Sequence, residues 1–403
     1  MQYLESRCAQ TRVRGHTGAP RGIICAWTPP VSDRPDTLPP GWNEHWTAEW
    51  AEHGLPGLTP CRVVRIDKGG ITVARTPGEE LLVIAAKAVR RVVVGDVCGL
   101  DVEAGRIEQI LPRQTVFERR SPGVSRDQLQ LQSRPLAANM DRVFVLQPLE
   151  TGVNLTRLAR ELVLAWESGA QPVVVLTKAD LVDAEWAEHE RSEARRFAPG
   201  VEVHVISTRG AHGLAELDHL HGPGHVIALL GASGAGKSSL VNALAGRSVQ
   251  LVAEVRDNDR RGRHTTSAGQ IIQLTDGALL IDTPGIRGVG LWSADEGFEK
   301  AFDDLSDFAQ QCRFADCTHT NEPGCGLLEA VAAGKIGADR VEIWQALALE
   351  LEQLEDGLET RDREQTKERN QRARRKAKRR DADQSEGTGR SYEQDDPDDD
   401  DDD

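Results

Sequence analysis

The sequence predicts a multidomain protein with a small antiparallel β-barrel, then a parallel α/β domain with a phosphate-binding loop, then an α-helical zinc-binding domain. Three observations support this prediction: short β-rich runs between residues 61 and 110, apolar strands alternating with helices between residues 143 and 285, and a Cys/His cluster at residues 312–325. Alternating strands and helices indicate a parallel sheet covered on both faces. A length of 403 residues fits about two to three domains.

Charge is distributed unevenly along the chain, whose formal net charge is −15. Residues 381–403 hold twelve acidic side chains against one arginine, whereas residues 361–380 hold eleven basic side chains against three acidic ones. A basic block beside an acidic tail indicates contact with a polyanion. The sequence contains no run of about 18 apolar residues, so it predicts no membrane-spanning helix. The cysteines are scattered, which favours a cytoplasmic protein over a secreted one with a disulfide framework.

Composition and patterning divide the chain into six parts. Five short β-rich runs fit an OB-fold barrel, which often binds nucleic acid, although a purely structural role is the alternative. Trp42, Trp46 and Trp50 stand at helical spacing and predict a short helix docked on that barrel. From Arg340 to about Arg380 the pattern predicts one long helix. The expected parts are an N-terminal extension (1–57), the barrel (58–116), a linker (117–135), the α/β domain (136–305), the zinc-binding and helical domain (306–360), and a basic helix with an acidic disordered tail (361–403).

The segment GASGAGKS, residues 231–238, matches the phosphate-loop pattern G-x-x-x-x-G-K-[ST] between a strand and a helix. Its glycines let backbone N–H groups close around phosphates at a helix N-terminus. Lys237 is expected to neutralise the β- and γ-phosphates in catalysis, and the Ser238 hydroxyl to bind Mg²⁺. The nucleotide-binding residues predicted here are Gly231, Ala232, Ser233, Gly234, Ala235, Gly236, Lys237, Ser238 and Ser239.

Guanine is the predicted base, because TKAD at residues 177–180 follows a buried strand and resembles the N-K-x-D motif. The Asp180 carboxylate can accept hydrogen bonds from both N1–H and the exocyclic amine of guanine, which adenine does not offer. The stem of Lys178 is expected to lie along the base. Thr177 replaces the usual asparagine and keeps a hydroxyl but no amide. The predicted set is Thr177, Lys178, Ala179 and Asp180, with Ser207 and Thr208 as the loop that contacts the guanine oxygen.

DTPG at residues 282–285 completes the predicted site. Asp282 is expected to hold Mg²⁺ through water, and the Gly285 N–H to meet the γ-phosphate. Thr265 or Thr266, in the arginine-rich stretch before it, is the candidate switch threonine for Mg²⁺, with Thr266 slightly preferred.

These motifs stand in a circularly permuted order. Ordinary GTPases carry the phosphate loop, switch threonine, D-x-x-G, N-K-x-D and serine loop in that sequence, whereas here the last two come first. A parallel sheet tolerates the change because its strand ends meet at one edge whatever the connectivity. We therefore predict a permuted P-loop GTPase that hydrolyses GTP to GDP and phosphate.

The run Cys312-x₄-Cys317-x-His319-x₅-Cys325 supplies three thiols and one imidazole within fourteen residues. A closed tetrahedral Cys₃His set favours structural zinc, one ion per chain, over a catalytic metal. Unrelated buried thiols are the alternative.

Together, the permuted motif order, the preceding barrel and the Cys/His run resemble the RsgA (YjeQ) family of ribosome-dependent GTPases over about residues 58–360. The resemblance implies a monomeric factor that binds the small (30S) ribosomal subunit and its rRNA late in maturation and leaves after hydrolysing GTP. It also implies that His264 contributes to hydrolysis, although a surface position in the switch loop is the alternative. Ile286 stands where many GTPases place a water-orienting glutamine, which fits slow turnover that the ribosome stimulates.

Two other functions remain open at this point. One is a GTPase that regulates a non-ribosomal protein partner. The other is a nucleotide-gated RNA-binding module in which hydrolysis is incidental.

Overall fold

The structure is a computed structural model, and it describes residues 37–89, 91–119, 134–210, 212–249, 269–282 and 294–354. Several predicted residues lie outside these ranges, namely His264, Thr265, Thr266, Gly285 and Ile286. The basic block and the acidic tail, residues 361–403, lie outside them as well. None of the helices in the described part combines the length and the apolar character needed to cross a bilayer.

Residues 59–110 form a closed five-stranded barrel. Its strands are β1 (Thr59–Asp67), β2 (Gly70–Thr76), β3 (Glu79–Ala85), β4 (Val97–Asp101) and β5 (Arg106–Ile110). The order β1-β2-β3-β5-β4 returns to β1, because β1 pairs with β4 as well as with β2. This ring confirms the predicted barrel. Its core consists of Cys61, Val63, Val73, Val83, Cys98, Leu100 and Ile107.

A short helix, α1 (Glu44–His53), docks on the barrel, as the tryptophan spacing predicts. Asn43 caps this helix by accepting a hydrogen bond from the Trp46 backbone N–H at 3.2 Å. Trp46 is 2% exposed and packs with Val97 and Leu111. Part of the expected N-terminal extension thus belongs to the folded body.

The stretch predicted to be a linker begins and ends in strands. Strand β6 (Val116–Arg119) pairs antiparallel with β7 (Arg134–Ala138) in a separate two-stranded sheet. The described residues of this sheet that are buried are Phe117, Ala137 and Ala138. These two strands could not be predicted from the arginine-rich, polar sequence, because few of their positions are both apolar and buried.

Asn139 joins the barrel to the next domain. Its side-chain Nδ2 donates to the Gly95 carbonyl at 3.1 Å, and its Oδ1 accepts from the Gln114 N–H at 3.0 Å. Gly95 has a φ of +95°, and a Cβ there would meet the Ala138 carbonyl oxygen. The two backbones therefore approach as closely as glycine alone permits.

A six-stranded sheet forms the second domain. Its strands are β8 (Arg142–Pro148), β9 (Gln171–Thr177), β10 (Glu202–Val205), β11 (Val226–Gly231), β12 (Gly269–Gln273) and β13 (Leu279–Asp282). They lie in the order β10-β9-β8-β11-β13-β12, with β12 antiparallel to β13 and the other neighbours parallel. The predicted parallel α/β domain is confirmed.

Helices cover both faces of this sheet. One face packs against α2 (Leu155–Glu167) and α3 (Ala184–Phe197), whose apolar side chains join the largest core. The other face packs against α4 (Lys237–Leu244) and a 3-10 helix (Leu214–Leu220). Two short 3-10 turns, Leu149–Thr151 and Ala179–Leu181, follow β8 and β9.

The barrel and the sheet are continuous. The end of β1 pairs antiparallel with β12, Arg65 opposite Gln270 and Ile66 opposite Gly269. Because β12 directly follows residues 250–268, the stretch that carries the candidate switch threonine leads into a strand bonded to the barrel.

The C-terminal part is helical, as predicted. It contains α5 (Asp295–Ala301), α6 (Asp303–Ala309), α7 (Gly326–Ala332) and α8 (338–354). Arg340 of α8 is 3% exposed; its Nη2 donates to Asp304 Oδ1 at 2.5 Å, and its Nη1 donates to the Phe197 carbonyl. A buried arginine thus bonds α8 to the end of α3. The rest of the predicted long helix lies beyond the described residues.

We expect Arg113→Ala to lower the free energy of unfolding by about 3–5 kcal/mol, because it strands a buried carboxylate. Asp96 is fully buried, and Arg113 binds its two oxygens at 2.7 and 2.9 Å. Arg106→Ala removes a partly exposed ion pair with Glu108 and should cost less than about 1 kcal/mol. Urea unfolding followed by tryptophan fluorescence compares the two variants, and equal losses would contradict the assignment.

Candidate functional site

The predicted nucleotide residues lie where neighbouring parallel strands end. Register places Gly231 of β11 beside Leu146 of β8, and Thr177 of β9 beside Pro148 of β8. Asp282 ends β13, the other neighbour of β11. Motifs that are more than 100 residues apart in the chain therefore share one edge of the sheet.

The phosphate loop has a backbone that its glycines make possible. Gly231, Gly234 and Gly236 have φ values of +142°, +81° and +90°. A Cβ on Gly231 would also lie 2.8 Å from the Leu146 carbonyl oxygen. The Lys237 Nζ donates to the Gly231 carbonyl at 2.7 Å and to the Ala232 carbonyl, which holds its ammonium group against the loop. A side chain so placed can neutralise a bound phosphate.

Thr177 ties the base-recognition motif to the phosphate loop. Its hydroxyl donates to the Ala235 carbonyl at 2.8 Å, and the side chain is 3% exposed. A Cβ on Gly236 would lie 3.5 Å from the same hydroxyl. The hydroxyl kept in place of the usual asparagine amide thus has a structural partner within the protein.

Asp180 is oriented by the serine loop. The Ser207 hydroxyl donates to Asp180 Oδ1 at 2.5 Å, and Ser207 is 1% exposed. The Ser207 Oγ also accepts from the Arg209 N–H at 3.1 Å. Holding one carboxylate oxygen in this way fixes the orientation of the whole carboxylate group, which suits bidentate recognition of a base edge.

Lys178 has a left-handed backbone, with a φ of +62°. Its Nζ donates to Glu150 Oε1 at 2.6 Å, which draws the side chain across the end of β8. Ala179 donates its N–H to the Ile206 carbonyl at 3.1 Å and so connects this turn to the loop of Ser207 and Thr208.

Ser238 and Asp282 are the described residues of the predicted magnesium site. Ser238 is the second residue of α4, and both side chains are partly buried. A hydroxyl and a carboxylate are oxygen ligands of the kind that Mg²⁺ prefers. The other predicted participants, Thr266, Gly285 and His264, lie outside the described residues.

Two further polar residues, Gln147 and Glu161, were not predicted. Gln147 is the penultimate residue of β8 and is 1% exposed; its Nε2 donates to Glu161 Oε2 on α2 at 2.7 Å. Burial, the largest influence, raises the pKa of Glu161 to about 7, against the opposing charges of Arg157 and Lys237 and the Gln147 hydrogen bond. A carboxyl group that titrates near neutrality therefore lies within electrostatic reach of the phosphate-loop lysine.

The Cys/His run gathers into one cluster between α6 and α7. Cys312 Sγ lies 3.4 Å from His319 Nδ1 and 3.9 Å from Cys325 Sγ, and Cys325 Sγ lies 3.5 Å from His319 Nδ1. With Cys317, all four ligand atoms lie within 4.8 Å of one another. The cluster could therefore hold a single metal ion.

Helix α8 supports this cluster. The Gln345 Nε2 donates to the His319 carbonyl at 3.0 Å, and the ring of Trp344 lies 5.5 Å from the His319 ring. The His319 backbone has a φ of +59°. His319, a candidate ligand, is thus held by ring packing and by a hydrogen bond to its backbone carbonyl.

Most of this chain is similar in sequence to proteins that carry a functional name. The family described as RsgA GTPase matches residues 110–292. The small ribosomal subunit biogenesis GTPase RsgA of Streptomyces avermitilis is 41% identical over 321 residues, which cover 78% of this chain and 85% of that protein. The protein of the same name from Methanosarcina acetivorans is 37% identical over 341 residues, covering 82% of this chain and 90% of that protein.

Solved structures agree with the fold. YjeQ from Thermotoga maritima aligns with a TM-score of 0.55 at 25% identity, covering 73% of this chain and 98% of that one. YloQ, described as a circularly permuted GTPase, aligns with a TM-score of 0.52 at 19% identity, covering 75% and 97%. The permuted order inferred from the motifs is thereby confirmed at the level of the fold.

We expect Glu161→Gln to flatten the pH dependence of stability between about pH 5 and 8. The folded-state pKa of Glu161, about 7, lies above its ordinary value of 4.5. The wild type therefore loses stability as pH rises through this window, whereas the neutral glutamine does not. Relative to the wild type, the variant should gain on the order of 1–3 kcal/mol between pH 5 and 8. Urea unfolding at both pH values measures this gain, and parallel profiles would contradict the burial argument.

Proposed function

Because the chain belongs to the RsgA GTPase family, we propose that it is a GTP hydrolase that binds the small ribosomal subunit and acts late in its maturation. Hydrolysis would be stimulated on the subunit and coupled to release. We further propose that it works as a monomer in the cytoplasm. The proposal rests on family membership together with one structural observation, the contact between the guanine motif and the phosphate loop.

That contact supports guanine-nucleotide binding because it joins the residues predicted to bind the phosphates to those predicted to bind the base. Thr177 bonds the Ala235 carbonyl, while Asp180, three residues on, is held by Ser207. A nucleotide whose phosphates lie in the loop would bring its base to Asp180. Guanine offers this carboxylate two N–H donors, and adenine offers no such pair.

For hydrolysis we assign each residue one task. The backbone of the phosphate loop and Lys237 bind the β- and γ-phosphates, and the Gly285 N–H meets the γ-phosphate. Ser238, Asp282 and Thr266 would hold Mg²⁺, which neutralises charge that develops on the phosphate oxygens. His264 is proposed to contribute near the attacking water, since DTPG is followed by Ile286 where many GTPases have a water-orienting glutamine.

We propose that zinc fills the Cys₃His cluster. Zinc bonds of about 2.3 Å to sulfur and about 2.0–2.1 Å to nitrogen give tetrahedral edges of roughly 3.5–3.8 Å. The separations of 3.4, 3.5 and 3.9 Å in the structure lie close to these edges. The ion would be structural, because four protein ligands leave no open position for substrate.

Ribosomal RNA would be gripped by the barrel, the metal-bound domain and the basic segment near Arg372–Arg380. The basic segment carries positive charge whose contacts with phosphates depend on salt and not on sequence. The barrel has the connectivity of a fold that often binds nucleic acid.

The direct test measures GTP hydrolysis with and without purified small subunits. We expect at least about tenfold stimulation, which corresponds to about 1.4 kcal/mol of transition-state stabilisation. Purified large subunits serve as a control and should have little effect. Lys237→Ala should abolish both rates. Equal rates with and without small subunits would instead favour a GTPase with a non-ribosomal partner.

One zinc per chain is expected to co-purify with the untagged protein. Cys317→Ala should lose it and should raise hydrogen exchange across residues 306–330, because such a loop obtains its folding energy from the metal. Nucleotide binding should survive. Cys98→Ala, which removes a buried barrel thiol, should keep the zinc. Metal analysis of fresh, chelator-free protein that finds no zinc would contradict the assignment.

A further inference from the structure

We propose a second metal site, on the face of the sheet that carries the 3-10 helix Leu214–Leu220, which takes a divalent transition ion such as Zn²⁺, Co²⁺ or Ni²⁺. Its ligands are Glu202 and His204 of β10 and His219 of the 3-10 helix. The three ligand atoms all lie within 4.8 Å of one another. This cluster is separate from the Cys₃His cluster and from the nucleotide residues, and the proposal does not depend on GTP hydrolysis.

The spacing of the cluster fits one ion. Glu202 Oε2 lies 3.1 Å from His204 Nε2 and 3.0 Å from His219 Nε2. Metal–ligand bonds of about 2.0–2.2 Å place neighbouring ligands roughly 2.9–3.4 Å apart in octahedral or tetrahedral geometry. Two imidazoles and one carboxylate suit zinc and its neighbours in the first transition row, whereas Mg²⁺ and Ca²⁺ prefer oxygen ligands alone.

The backbone positions these side chains before any ion arrives. Alternation along β10 puts residues 202 and 204 on one face, while Val203 is buried on the other. The 3-10 helix is anchored by Leu217 and Leu220, which are 0% and 1% exposed. His219 lies between them in the chain and is more than half exposed at its side chain.

A second carboxylate supports the assignment. The side chain of His204 is 12% exposed, and its Nδ1 is buried without a hydrogen-bond partner. Glu216 Oε2 lies 3.5 Å from that nitrogen. In metal sites a carboxylate commonly holds the non-ligating nitrogen of a histidine, which fixes the tautomer and makes the other nitrogen a better ligand. A small inward movement of Glu216 would complete this arrangement.

The location gives the site a consequence for the guanine loop. Strand β10 runs directly into Ile206 and Ser207, and Ser207 orients Asp180. An ion would tie the end of β10 to the 3-10 helix, across residues 206–213. Three protein ligands leave at least one coordination position open to water or to a partner's side chain.

Isothermal titration calorimetry, with visible absorption spectra of the same mixtures, tests the proposal on the untagged, full-length protein. The Cys₃His cluster is first filled with one equivalent of Zn²⁺, and Co²⁺ is then added. We expect one further equivalent to bind, with a visible d–d spectrum and no new thiolate charge-transfer band. A new thiolate band would mean exchange at the cysteines and would overturn the assignment, as would the absence of binding beyond the first equivalent.

Variants locate the site. His219→Ala should weaken Co²⁺ binding by at least about tenfold, and Glu216→Gln, which removes no ligand, by about 10- to 100-fold. His53→Ala is the matched control, because His53 forms a His–Glu pair with Glu49 on α1 but belongs to neither cluster of candidate metal ligands. The control should leave the affinity unchanged. Unchanged Co²⁺ affinity in His219→Ala would overturn the proposal, and circular dichroism confirms that each variant is folded.

Discussion

The parallel alignment of β9, β8, β11 and β13 is the constraint on which the site depends. Backbone ladders fix Thr177, Gly231 and Asp282 at the same edge, although the chain visits them in an unusual order. Because the ladder does not depend on the loops that join its strands, permuting the connections leaves the edge intact. The hydrogen bond from Thr177 to Ala235 then locks two of the strand ends together. The residues predicted to bind the phosphates and those predicted to recognise the base thus form one connected arrangement.

The permuted order changes which domains adjoin the motifs at this edge of the sheet. Strand β12 follows the stretch that contains Thr266, and it pairs with β1 of the barrel. The chain that follows Asp282 leads into α5, which packs against α2, where Gly297 donates its N–H to Glu167 at 2.9 Å. On the far side, Arg340 and the ion pair of Arg160 with Glu350 hold α8 to α3 and α2. Both flanking domains are therefore bonded to elements adjoining the segments expected to sense the γ-phosphate.

Much of this fold follows from local patterns in the sequence. Polar motifs directly after apolar strands predict strand-end chemistry, and the same argument applied to VFVLQ would have found Gln147. Glu161 could not be found from the sequence in this way, because its position depends on which face of α2 packs against the end of β8. The pairing of β6 with β7 escaped prediction because its strands bury few apolar residues. The joint between β1 and β12 connects residues about 200 apart through backbone bonds, which leave no pattern in side chains.

We assign the selection of guanine to Asp180, which lies just after a strand end tied to the phosphate loop. The most direct measurement is the affinity of wild type and Asp180→Asn for GDP, XDP and ADP. Xanthine replaces the exocyclic amine of guanine with a carbonyl oxygen, so it should repel the carboxylate and accept a hydrogen bond from an asparagine amide. We predict that the wild type prefers GDP, and that the variant prefers XDP by at least about tenfold, or about 1.4 kcal/mol. A variant that still prefers GDP, or a wild type that binds ADP equally well, would contradict the account.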